Sequence, residues 1–170
     1  MNFIRPAKSG SDWSKNELIA YNISVSPVPA EEFFLSVAES SLDHLDPNIL
    51  TAPAGAENRI AQTDVCLLHR PITVLLVLIE DKTLSNRNDA ESQVIAEAIA
   101  AFQFNNQKRE EKGLASLTAM TIPCITMSGT RPTFYLVPVT QELSTAVIGG
   151  VYPATETRVL KCVTVVAHTR

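Results

Sequence analysis

Asp64 and, further along the chain, the run Glu80-Asp81-Lys82 combine carboxylates with an ammonium group. In an extended strand, residues two apart point the same way, so Glu80 and Lys82 share one face and Asp81 takes the other. Two neighbouring carboxylates repel each other. They stay ionised together most readily with a divalent cation between them, and oxygen ligands suit Mg2+ or Mn2+. Such an ion polarises a phosphoryl oxygen and lowers the pKa of a bound water. A lysine beside it can position that water and offset the charge that develops on phosphorus. The competing reading of the same residues is an ordinary surface ion pair between Glu80 and Lys82 in an unrelated α/β domain.

The elements around these residues must hold them in place. Ile72–Thr83 reads as a strand, and its first eight residues, Ile72–Ile79 (ITVLLVLI), with Thr73 as the only polar side chain, have the pattern of one buried on both faces. Arg59–Leu68 (RIAQTDVCLL) reads as its antiparallel partner, joined through a turn at His69–Pro71. A loop centred on Ile72 puts Asp64 directly opposite Glu80, with Cβ atoms about 5 Å apart. Gln62 then faces Lys82. A slip of one residue would send Asp64 to the other face.

After a polar loop at Leu84–Asn88 comes a long helix, with Asn88 and Glu91 spaced as a capping box. Val94, Ile95, Ala98, Ile99, Ala101 and Phe102 form its apolar face, and Gly113 lies just past its charged end, KREEK. Lys108, Arg109 and Lys112 in that end are the basic cluster of the chain, either a solvated helix end or a contact for a phosphate backbone. Thr121–Ser128 and Thr133–Thr140 read as a hairpin around the turn GTRP, which contains Arg131. A short helix at Gln141–Ile148 stops at Gly149-Gly150, and Val159–Ala167 is a final strand.

Upstream, residues 1–29 read as an N-terminal arm packing on a single domain at 30–170. The arm carries a short helix or turn at Lys15–Tyr21 and an edge strand, Asn22–Val28, that ends at Pro27. Trp13 and Tyr21 are expected to bury against the body. Ala30–Leu45 is a helix by the spacing of Phe33, Phe34, Val37, Ala38, Leu42 and Leu45, with Glu31 and Glu32 in its first turn. Thr51–Asn58 is a loop. The order of elements predicts an α/β fold: one mixed sheet flanked by helices.

Composition sets bounds. The chain has 170 residues, 45% hydrophobic and 19% charged, with a net charge of -4. That balance gives no overall attraction to nucleic acid or to an anionic membrane, although a local basic patch would suffice for the former. Cys66, Cys124 and Cys162 lie among apolar neighbours and read as buried thiols rather than as a disulfide or zinc framework. His44, His69 and His168 are scattered, without ligand spacing. With no apolar leader and no run long enough to span a bilayer, the expected location is intracellular, in cytoplasm or nucleus.

On a strand–turn–strand followed by a helix carrying Gln93, Asp64…Glu80-Asp81-Lys82 resembles the signature of the PD-(D/E)XK nuclease-like (restriction-endonuclease-like) superfamily, with Thr63-Asp64 in place of Pro-Asp. The stretches NELIAYNI (16–23), TDVCLL (63–68), LIEDKTL (78–84), ESQVIAEAIAAFQFNN (91–106) and IPCITMSGTRPTFYLVPVT (122–140) resemble an uncharacterised fungal group within it, over roughly residues 12–165. The resemblance implies a restriction-endonuclease-like core. It makes Asp64 and Glu80 metal ligands, the backbone carbonyl of Asp81 a further ligand, and Lys82 the catalytic lysine. Gln93, and Glu97 one turn later, would point toward the site. That group has a longer segment ahead of the TDV strand. Here Gly55 is followed almost at once by Arg59-Ile60. Either the Ala30–Leu45 helix takes over the packing role of that segment, or the core is shortened on its N-terminal side. The function implied is a Mg2+- or Mn2+-dependent phosphodiesterase acting on DNA or RNA, with Lys108, Arg109 and Arg131 as substrate contacts. The alternative is an inactive nuclease-like binding or accessory module, with a homodimer as one form.

Overall fold

The computed structural model describes residues 12–42, 65–69, 73–81 and 87–164, with side chains in 12–37 and 90–164. Helix α1 (Lys15–Ala20) opens with a capping box. Ser14 Oγ accepts from Asn16 N at 3.3 Å, and Ser14 N donates to Glu17 Oε2 at 2.9 Å. Strand β1 (Ile23–Pro27) and helix α2 (Ala30–Leu42) follow, then β2 (Val65–His69), β3 (Thr73–Asp81) and the long helix α3 (Arg87–Glu111). The hairpin is β4 (Ala119–Ser128) and β5 (Arg131–Thr140), and α4 (Gln141–Gly149) and β6 (Thr157–Val163) complete the described elements.

These strands form one six-stranded sheet in the order β1-β6-β5-β4-β3-β2. β1 with β6 and β3 with β4 are parallel, and the other pairs are antiparallel. β1, β6, β4 and β3 therefore run one way, and β5 and β2 the other. The expected α/β class, a mixed sheet flanked by helices, is the observed one.

The segment expected to be an arm is tied in more closely than packing alone would make it. β1 is the hydrogen-bonded edge strand of the sheet, and Trp13 stacks on Tyr21 with ring centroids 5.3 Å apart, both buried.

α3 buries its apolar face on one side of the sheet. Val94, Ile95, Ala98, Ile99 and Phe102 meet Ile122, Cys124, Tyr135, Val137, Val139 and Val159, and α1 adds Leu18 to the same core. Each large apolar side chain fully buried here contributes roughly 1.5–3 kcal/mol. α2 covers part of the opposite face with a smaller cluster, Phe33 against Leu136 and Cys162 with Phe134 and Leu160 alongside. Of the expected α2 stripe, Phe33 is buried and Val37 partly so, but Phe34 is half exposed and lies edge-on to Phe134 at 5.8 Å. Cys124 and Cys162 are buried thiols, as expected. Among the described residues, no helix is long and apolar enough to cross a membrane.

Several boundaries differ from those expected. α3 begins at Arg87, so Asn88 sits inside the first turn rather than at the cap. β5 begins at Arg131, which pairs with Ser128. The turn thereby shrinks to Gly129-Thr130, with Gly129 at φ 60 in the first central position, where a tight hairpin needs a left-handed residue. Gly113 ends α3 as its position predicted, at φ 70, donating to Glu110 O at 2.9 Å while Leu114 N donates to Arg109 O at 2.9 Å. The α3–β4 connection is pinned by Asn106, whose Oδ1 accepts from Leu117 N at 2.7 Å and whose Nδ2 donates to Leu117 O at 3.1 Å.

Candidate functional site at the carboxyl ends of the parallel strands

The four strands that run together end at Pro27, Val163, Ser128 and Asp81 on one edge of the sheet. The antiparallel strands β2 and β5 start at that edge, at Val65 and Arg131. In open α/β sheets, the space outside the carboxyl ends of the strands is where ligands bind. β3 delivers Glu80 and Asp81 to this edge, and the β3–α3–β4 crossover brings the first turn of α3 back over it. Asp64 and Lys82 lie outside the described residues. In sequence, Asp64 directly precedes β2 and Lys82 directly follows β3.

The pairing of β2 with β3 is offset by one residue from the expected register. A turn centred on Ile72 would put Val65 opposite Ile79, but Val65 pairs with Leu78, Cys66 with Val77 and Leu67 with Leu76. His69 pairs with Thr73, which centres the connection on position 71, and an irregularity between Leu67 and Leu68 leaves Leu75 of β3 without a partner. The shorter turn moves the register by two residues and the bulge restores one, giving the net offset. The geometry from which Asp64 was expected opposite Glu80 is therefore not the one that β2 and β3 adopt between Val65 and Leu78.

In the β3–β4 register, Ile79 pairs with Thr126, Glu80 with Met127 and Asp81 with Ser128.

In the first turns of α3, Glu91 pairs with Lys161 of β6. Gln93 lies about 200° further round the helix. It is half buried, and its Nε2 donates to Glu97 Oε1 at 3.0 Å. The Lys161 ammonium also lies 5.7 Å from the centroid of the Tyr135 ring. Burial, with the Glu91 carboxylate nearby adding to it, pushes the Tyr135 hydroxyl up to about 12, and a hydrogen bond with Thr126 pulls the other way. Sequence reading placed neither Lys161 nor Tyr135 in a site. The signal available was a lysine flanked by the apolar residues Leu160 and Cys162 within the strand.

The three cations proposed for substrate separate into two groups. Arg131 is exposed at the carboxyl-end edge, in the row Asp81–Ser128–Arg131. Two strand spacings put its backbone about 10 Å from that of Asp81. Lys108 and Arg109 lie far along α3, roughly 30 Å from its start at 1.5 Å per residue, beside the beginning of β4. Lys108 pairs with Glu111 at 2.6 Å and lies 5.7 Å from the Phe104 ring centroid, and Arg109 Nε donates to Ala115 O at 2.7 Å. Lys108 holds the Glu111 carboxyl below its usual range through that hydrogen bond. Lys108 and Arg109 are thus engaged locally, and the helix end stands at the edge away from Glu80 and Asp81.

Among the described residues, no group of three or more His, Cys, Asp or Glu side chains is placed to hold a metal ion. No protein-family model, curated protein or solved structure matches the chain.

Proposed function

We propose that the chain is a Mg2+- or Mn2+-dependent phosphodiesterase of restriction-endonuclease-like design acting on DNA or RNA, working at the carboxyl-end edge of its sheet. The observation that carries this reading is the meeting of chain segments there. β3 ends in Glu80-Asp81 with Lys82 next in sequence, β2 begins one residue after Asp64, and Arg131 stands on the same edge. The donor chemistry fits a hard cation, since carboxylate and carbonyl oxygens are the ligands it prefers. The donors in this reading are the ones the resemblance implies: Asp64, Glu80 and the backbone carbonyl of Asp81. A bound ion would supply Lewis-acid polarisation and a water of lowered pKa. Lys82 would orient the attacking water and meet charge on phosphorus, and Arg131 would bind a neighbouring phosphate. Gln93, whose Nε2 donates to Glu97 Oε1 at 3.0 Å, would point toward the site from α3, as the resemblance implies.

The test is cleavage of a mixed panel of single- and double-stranded DNA and RNA with Mn2+ or Mg2+. Wild type should cut at least one substrate, chelation should abolish it, and Lys82→Ala should lower the rate about 100-fold or more. Equal background from wild type and Lys82→Ala would end this reading. A second reading, a nuclease-like binding or accessory module without catalysis, is favoured by the one-residue offset between β2 and β3. It predicts metal or nucleic-acid binding with no cleavage.

A further inference from the structure

We draw no further inference here: the strongest candidate, the Glu91–Lys161–Tyr135 cluster between the first turns of α3 and strands β5 and β6, already matches its ammonium with its carboxylate, and nothing in the structure shows a ligand that it would take.

Discussion

Lys161 is a charged residue on the helix-covered face of an interior strand, and it stays there because Glu91 meets its ammonium and Tyr135 offers a ring face. Both members of the pair are largely shielded, with side chains 28% and 17% exposed, so removing one leaves the other poorly solvated. A double-mutant cycle with Lys161→Met and Glu91→Gln should give a coupling of about 1–2 kcal/mol by chemical denaturation. Additive losses would mean that the pair is screened by solvent and holds nothing together. Tyr135 gives a second prediction. Its folded value of about 12 lies above the ordinary 10.0. The folded state therefore keeps its proton when the unfolded state has lost it. The stability this contributes is complete below pH 10 and is lost as pH rises toward 12. Tyr135→Phe should flatten the fall in stability across that interval, whereas an unchanged slope would assign it to other groups.

At the scale of elements, much was legible because the signals are local. The period of the apolar residues located α3, the alternation of TFYLVPVT located β5, and the glycine after a charged helix end located the stop at Gly113. A Cβ at Gly113 would meet nothing within 4 Å, so the strain of φ 70 on a residue with a side chain is the only penalty. Gly113→Ala should cost about 1–2 kcal/mol, read as a shift in the denaturation midpoint at unchanged slope. A neutral outcome would show that the end of α3 rearranges without it. The pairing of β2 with β3 was not legible. It depends on how many residues the connection uses and on a bulge at Leu67/Leu68, and neither leaves a pattern in composition. Asn88 shows the same limit on a smaller scale: its spacing to Glu91 is right for a cap, yet the helix begins at Arg87, two residues before that cap would start it.

At the scale of the molecule, the two edges of the sheet have different contents. One holds the carboxyl ends of four parallel strands with Glu80, Asp81 and Arg131, and the other lies beside the basic end of α3. If the proposed chemistry operates at the first edge, Arg131→Ala should weaken substrate binding several-fold, seen as a raised KM. Lys108→Ala with Arg109→Ala should leave kcat/KM within about twofold, since roughly 30 Å of helix separates them from the start of α3. The opposite ranking would place the substrate along α3 and move the site off the carboxyl-end edge.

The sequence by itself determined the α/β class and most of the described elements. Both rest on periodicity within a few residues of the chain. Only the tertiary structure decided that Glu91 of α3 pairs with Lys161 of β6, and which cations share an edge with Asp81, Arg131 and not Lys108 or Arg109. It also set the register of the strand that follows Asp64. Those outcomes depend on turn length, a bulge and the rotation of α3 over the sheet, and each is fixed by contacts between segments far apart in the chain.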